Sequence, residues 1–142
     1  MTCCEYRAVM QHRRGGATRA FHYAQDRRMH EIQSVLGFLP YPGTLNLVCD
    51  VDFDWSEDHY SAVMLDVVNR RFSLSYGWAP RRAGFWPVLV SDVETTQPIP
   101  AFAFRFENEV YPKNLLELVA PERLRDRLVG PDVLVCHVKP CP

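Results

Sequence analysis

Alternation of apolar and polar residues along much of the chain predicts β-strands rather than helices. The runs that we assign to strands are Glu5–Met10, Trp86–Val90, Ala101–Phe106 and Val133–Val138. The proline-rich residues 98–100 are expected to form a turn between two of these strands, and residues 130–132 a turn before the last. The pattern therefore predicts a protein that is mainly β.

Two short stretches depart from this alternation and predict helices. After Asp26 the apolar residues recur every three to four positions, as they do on one face of a short amphipathic helix. Asp26 suits the N-cap of this helix, and Gly37 suits the position that ends it. A second short helix is predicted after Pro121, because proline favours the first helical position and the mixed-charge run Glu122–Leu128 follows.

The turn from Pro40 to Asn46 is the most informative segment of the chain. Two prolines and a glycine define a sharp bend that leads directly into a strand. Alternation along that strand places Thr44 and Asn46 on one face and Leu45 and Leu47 on the other. The sequence thus predicts that a hydroxyl and an amide oxygen point to the same place.

The composition is that of an ordinary globular protein, with 142 residues, 47% of them hydrophobic and 23% charged. We expect residues 1–142 to form a single domain that acts as a monomer. A formal net charge of −1 argues against a nucleic-acid partner. Six arginines within the first thirty positions nevertheless leave two alternatives, a local anionic ligand such as a triphosphate and a solvated basic face.

No apolar stretch approaches the roughly 18 residues needed to cross a bilayer, so we expect a cytoplasmic protein without a membrane partner. Five cysteines without a C-x-x-C pair indicate reduced thiols. Cys136, His137 and Cys141 lie close together in sequence, yet a tetrahedral metal site would need a fourth ligand. The alternative is that Cys136 is a small apolar residue of the last strand.

An acidic run between Asp50 and Asp58 precedes the apolar residues 62–65. The run lacks the glycine and the terminal glutamate of a calcium-binding loop, which favours a solvated surface. No function is assigned to this middle part of the chain from the residues alone.

Two blocks of sequence resemble one known family. Residues 36–47, LGFLPYPGTLNL, are similar to the turn of the archaeal CTP-dependent riboflavin kinases, whose pattern is LGF-x-PY-x-GTLN. Residues 116–125, LELVAPERLR, resemble the E-I-I-A-P-x-x-L-R segment of the same family, in the same order and at about the same separation. The resemblance can be followed loosely from about Arg14 to Val138.

This resemblance implies a six-stranded cradle-loop β-barrel with short helices. It also implies that Thr44 and Asn46 bind Mg²⁺, with phosphate and water completing the coordination. Glu117 would contact the flavin and orient or deprotonate the acceptor hydroxyl, or else be the outward residue of a half-buried strand. Arg123 and Arg125 become candidate contacts to the phosphates or cytosine of CTP, with surface charges as the alternative.

The nucleotide loop departs from the family pattern G-x-G-x-G, because only Gly15 is in register. Gly15, Gly16, Thr18 and Arg19 are the candidate nucleotide-binding residues of this loop. Glycines there let backbone N–H groups approach phosphates. Ala17 and Arg19 therefore imply either an altered phosphate cradle or one in which Arg19 itself supplies charge.

A second departure concerns the acceptor. The threonine with which the family contacts flavin falls near Glu109, which makes Glu109 a candidate substrate-binding residue whose carboxylate would repel a phosphorylated product. The segment between Asp50 and Gly84 is also longer than expected. Both features leave open an acceptor other than riboflavin.

Three functional hypotheses follow. The first is a kinase that moves the γ-phosphoryl group of CTP to riboflavin or a related hydroxyl, giving FMN or an analogue. The second is a non-catalytic module that binds a nucleotide or flavin on the same barrel, which Ala17 and Arg19 favour. The third is a structural or assembly role, suggested by three tryptophans expected to be exposed, Trp55, Trp78 and Trp86.

Overall fold

A computed structural model describes residues 5–11, 31–41, 44–56, 61–69, 77–92, 94, 97–106 and 110–137. It contains seven strands, β1 (Glu5–Gln11), β2 (Leu45–Cys49), β3 (Ser61–Asn69), β4 (Gly77–Asp92), β5 (Ile99–Phe106), β6 (Leu115–Val119) and β7 (Asp132–His137). Residues 31–36 are helical, and Leu124–Asp126 form a 3-10 turn. No helix among these residues has the length and apolar character that crossing a bilayer requires.

Six of the strands close into an antiparallel barrel. Their order is β4, β5, β6, β2, β1 and β7, and pairing of β7 with the end of β4 closes the ring. β3 lies outside the ring and pairs with the first half of β4. The prediction of a mainly β protein built as a six-stranded barrel is confirmed, and the long middle segment supplies β3 and extends β4.

The barrel wall separates two apolar clusters. The interior cluster contains Leu45 and Leu47 from β2 and Leu116 and Leu118 from β6, which are at most 3% exposed. The outer cluster lies on the other face of β4, β5 and β6, where the helical residues 31–36 pack against phenylalanines of β4 and β5. Alternation along β2 is therefore confirmed, because its two leucines do point away from Asn46 into the barrel.

The predicted turn at residues 98–100 is only partly correct. Ile99 and Pro100 already belong to β5 and lie opposite Val90 and Leu89 of β4. Proline is tolerated there because β6 pairs with residues 102–104 of β5, so the missing N–H of Pro100 is not needed for that ladder.

The helix predicted after Pro121 is present but shorter than expected, since only Leu124–Asp126 form a 3-10 helix. Leu124 and Leu128 are both buried in the interior cluster. The segment crosses one end of the barrel, and the N–H of Leu128 donates to the Leu124 carbonyl at 3.1 Å. Burying these two leucines requires a single turn, and Gly130, with φ of 80°, then redirects the chain into β7.

The acidic segment after β2 begins exposed and ends against the barrel. Asp50 and Asp52 are exposed, whereas Phe53 is buried inside the barrel and Trp55 is half-buried against it. The expectation that Trp86 is exposed is wrong, because it is 7% exposed and its indole N–H donates to the Ser56 carbonyl at 2.8 Å. The side chain of Trp78 lies outside the described part of the structure.

Cys136 and His137 are consecutive residues of β7, so their side chains point to opposite faces of the barrel wall. His137 is buried and its ring stacks on Phe53, with 4.1 Å between the ring centroids. Cys141 lies outside the described residues. The environment of His137 is thus the aromatic interior, and the predicted last strand is confirmed as β7.

The reactivity of the Cys49 thiol tests whether this residue is buried in the barrel core. Its side chain is 2% exposed, and burial, assisted by the negative charge of Asp50, raises the pKa of its thiol from 9.0 to about 11. At pH 8 the reactive thiolate would then be roughly one thousandth of the total, and this fraction rises as the pH approaches 11. We expect iodoacetamide to label Cys49 slowly at pH 8, as followed by peptide mass spectrometry.

The control for this measurement is the same chain unfolded in urea at pH 8, in which Cys49 should react at the rate of an ordinary thiol. Equal labelling rates in the folded and unfolded chains would contradict the placement of Cys49 in the barrel core.

Candidate active site

The residues before the turn hold it in place through local contacts. Leu36 is buried in the outer cluster, and Gly37 ends the helix with φ of 80° while its N–H donates to the Gln33 carbonyl at 2.8 Å. Phe38 packs against Phe102 of β5, with 5.8 Å between the ring centroids. The prediction that Gly37 ends the helix is confirmed, and the LGF residues attach the turn to the outside of the barrel.

The turn also contacts the end of β6. Pro40 is buried, and the N–H of Tyr41 donates to the carbonyl of Ala120 at 2.8 Å. Ala120 belongs to the second of the two sequence blocks that carry the family resemblance. The two blocks, far apart along the chain, are therefore in direct contact.

Three candidate site residues meet on the outer face of the wall. Asn46 of β2 lies directly opposite Glu117 of β6 in the strand pairing, so both side chains point to the same face. The Thr44 hydroxyl donates to Oε2 of Glu117 across 3.5 Å. The structure thus brings together a hydroxyl, an amide and a carboxylate.

This row of side chains continues onto the neighbouring strands. Gln11 of β1 lies opposite Asn46, and Phe104 of β5 lies opposite Glu117. Sequence analysis did not identify Gln11, since no motif contains it and only the strand register places it beside Asn46. It is the last residue of β1 and directly precedes the segment that contains the candidate nucleotide loop.

Arg125 also reaches this row, because its guanidinium donates to the backbone carbonyl of Gln11. The half-buried Arg125 therefore links the segment after β6 to the end of β1. Arg123 has a different environment: it is exposed, and its guanidinium pairs with Asp126 at 3.6 Å. This ion pair fits the surface alternative for Arg123.

The remaining candidates lie outside the described residues. Gly15, Gly16, Thr18 and Arg19 belong to residues 12–30, and Glu109 belongs to residues 107–109. Their assignments stay predictions.

The chemistry of Thr44, Asn46 and Glu117 suits a hard cation. Hydroxyl, amide and carboxylate groups all offer oxygen ligands, and Mg²⁺ is commonly bound by one or two carboxylates together with substrate phosphates and water. In the described part of the chain, no three side chains of His, Cys, Asp or Glu converge in a way that could hold a metal ion. Thr44, Asn46 and Glu117 include a single carboxylate, so a cation bound by them would need further ligands such as phosphate and water.

An open groove of about 710 Å³ crosses the outer face of β7, β1 and β2 beside this site. Its lining is mostly apolar, with Val9, Val48 and Leu134 among the residues. Gln11 belongs both to the groove and to the row that contains Asn46. The groove thus ends next to the candidate active site.

Comparison with known proteins gives one family. A family model described as "Domain of unknown function DUF120" matches residues 14–133, more than four fifths of the chain, including both sequence blocks. A search of curated proteins finds no match.

Proposed function

The chain belongs to the CTP-dependent riboflavin kinase family, and from this premise we propose that it transfers the γ-phosphoryl group of CTP to a hydroxyl of riboflavin, giving FMN. The observation that carries the proposal is the meeting of Thr44, Asn46 and Glu117 on one face of β2 and β6. Phosphoryl transfer depends mainly on positioning and charge stabilisation, and these residues can supply both.

Glu117 is the group that we propose to act on the acceptor. Its carboxylate is half-buried and accepts a hydrogen bond from the Thr44 hydroxyl. In the reaction the riboflavin hydroxyl oxygen forms a bond to the γ-phosphorus, the bond from that phosphorus to the bridging oxygen breaks, and CDP leaves. The hydroxyl proton passes to the carboxylate of Glu117, which first orients the hydroxyl for attack.

Thr44 and Asn46 would hold Mg²⁺ through their side-chain oxygens. The ion supplies positive charge that neutralises the phosphates during transfer. The rigid approach to the turn, through Gly37, Phe38 and the Tyr41 hydrogen bond to β6, keeps both oxygens beside Glu117. We propose that the LGF-x-PY spacing preorganises this turn.

The nucleotide would approach from the end of β1. Residues 15–19 follow that strand, and we propose that their backbone N–H groups, together with Arg19, contact the phosphates. Arg125 supports this region by binding the Gln11 carbonyl where the loop begins. We further propose that the chain works as a single-domain monomer in the cytoplasm.

The direct test incubates the purified chain with riboflavin, Mg²⁺ and CTP, ATP, GTP or UTP in turn, and measures FMN by chromatography. We expect FMN with CTP and a requirement for Mg²⁺. For Asn46→Ala we expect the Mg²⁺ concentration at half-maximal rate to rise on the order of 10-fold or more. The matched control is Gln97→Ala, which removes an exposed amide outside the site.

The absence of FMN with every nucleotide would contradict the kinase proposal. The second candidate function, a module that binds nucleotide or flavin without turnover, is favoured by Ala17 and Arg19 in the loop where the family has glycines. Calorimetric binding of CTP or riboflavin by a chain that makes no FMN would support this second function.

A further inference from the structure

Arg105 occupies an unusual position for a charged residue. It is the penultimate residue of β5, and the alternation that sends Ala101 and Ala103 into the barrel places Arg105 on the same face. Phe104 and Phe106, on either side, belong to the outer cluster. The half-buried guanidinium therefore lies at one end of the barrel interior, on the opposite face of the wall from Phe104.

The guanidinium binds the loop that leads into β6. Its Nη2 donates to the carbonyl of Pro112 at 2.5 Å and to that of Leu115 at 3.0 Å. Its carbon lies 3.6 Å from the ring centroid of Trp55 and 5.1 Å from that of Tyr111, within the range of cation–π attraction. Arg105 is thus held between aromatic rings while it binds two backbone oxygens.

Trp55 contributes a third contact to the same loop, since its indole N–H donates to the carbonyl of Lys113 at 2.9 Å. Backbone bonds reinforce the arrangement, with the N–H of Phe53 donating to the same Lys113 carbonyl at 3.0 Å. We call Arg105 and Trp55 together the loop clamp, and residues 110–115 the clamped loop. The clamp holds three carbonyl groups within four consecutive residues.

The clamped loop leads directly to the candidate active site. Leu115 is the first residue of β6, and Glu117 follows two positions later on the strand that pairs with Asn46. Residues 107–109, which include the predicted substrate contact Glu109, come immediately before the loop. A displacement of the loop would therefore move the acceptor side of the site, where errors of about 1 Å can cost about 100-fold in rate.

The positive charge of Arg105 also contributes to holding the loop. Burial lowers the pKa of Arg105 to about 10, while the attraction of Tyr111 and Glu117 opposes the change. The guanidinium therefore stays protonated near neutral pH. Lysine cannot reproduce the arrangement, because its side chain lacks the planar guanidinium, which stacks on Trp55 while its Nη2 binds two carbonyls.

We propose that Arg105 is a positioning residue, which together with Trp55 fixes residues 110–115 and thereby directs Glu117 toward the acceptor hydroxyl. The contacts described above support the existence of the clamp. Its effect on phosphorylation rests on the proposed function.

The first measurement is kinetic and compares Arg105→Gln and Arg105→Lys with Arg127→Gln, which removes an exposed arginine that pairs with Glu122. For Arg105→Gln we expect kcat/KM for riboflavin to fall on the order of 10- to 100-fold, with KM for CTP changed by less than about threefold. Arg105→Lys should recover only a minor part of the loss. A KM for CTP that rises in proportion to the loss of rate, or full recovery with lysine, would overturn the positioning role.

The second measurement does not depend on turnover. Hydrogen exchange of the full chain without substrates, followed by mass spectrometry, reports the opening of residues 110–117. For Arg105→Gln we expect exchange there to accelerate on the order of 10-fold while peptides from β1 and β7, which do not pair with these residues, keep their rates. Trp55→Phe keeps a ring but removes the N–H hydrogen bond to the Lys113 carbonyl. We expect this variant to accelerate hydrogen exchange of the same peptide to a smaller extent.

These outcomes separate the two proposals. If the unmodified chain makes no FMN, the kinase proposal fails, and local exchange in residues 110–117 still decides whether the clamp exists. Unchanged exchange in this loop, or an equal acceleration throughout the chain, would overturn the clamp. If Arg105→Gln does not fold, the comparison is made with Trp55→Phe alone, and an unchanged loop in that variant also overturns it.

Discussion

Replacing Glu117 by glutamine should lower kcat for FMN formation by about 10² to 10⁴-fold, the range in which a positioned acid or base contributes to catalysis. The amide has nearly the shape of the carboxylate, but it cannot take the proton of the acceptor hydroxyl. It can still accept the hydrogen bond from Thr44, which is 3.5 Å long in the unmodified chain. We therefore expect the fold and the affinity for CTP to persist while turnover is lost.

The measurement is steady-state FMN production together with calorimetric titration of CTP. Glu94→Gln is the matched control, because it removes an exposed carboxylate outside the site. A Glu117→Gln chain that keeps its rate within about threefold would show that the carboxylate is only the outward residue of a half-buried strand. Loss of CTP affinity in proportion to the rate would instead indicate a role in binding the nucleotide.

Phe104→Ala should destabilise the protein by about 3 to 5 kcal/mol, the usual cost of removing a large buried ring. Phe104 is 2% exposed, and its ring centroid lies 5.3 Å from that of Phe85 and 4.9 Å from that of Phe106. The cavity would open in the outer cluster, beneath the helical residues 31–36 that lead into the Thr44 turn. Urea denaturation followed by circular dichroism measures the change.

Val110→Ala provides the control, since Val110 is fully exposed and its truncation should change the free energy of unfolding by less than about 0.5 kcal/mol. A loss below about 1 kcal/mol for Phe104→Ala would contradict the packing of the outer cluster. Because Phe104 also lies opposite Glu117, we expect the folded fraction of this variant to turn over more slowly than the unmodified chain.

The location of the site explains why both clusters matter to function. Thr44, Asn46 and Glu117 lie on the outer face of a wall whose inner face is filled by leucines. Asn46 is only 6% exposed although it points away from the interior, which shows that the outer face is covered at this point. The inner cluster fixes the strand register, and the outer cluster fixes the approach of the turn.

Local sequence was sufficient to predict strand β2 and the direction of its side chains. Burial on one face of a strand repeats every second residue, so Leu45 and Leu47 identify the inner face and leave Asn46 on the other. The end of the helix at Gly37 was also predictable, because a left-handed residue there favours glycine. These features depend only on residues that are neighbours along the chain.

The tertiary structure alone decided which strands pair and in which register. Nothing local places Gln11, Asn46 and Glu117 in one row, because a slip of one residue would turn Glu117 toward the interior. Likewise, contacts distant in sequence reduced the helix expected after Pro121 to a single turn, buried Trp86 and brought Arg105 to the carbonyls of Pro112 and Leu115. Sequence thus determined the side-chain pattern of each strand, whereas closure of the barrel determined which of those side chains meet.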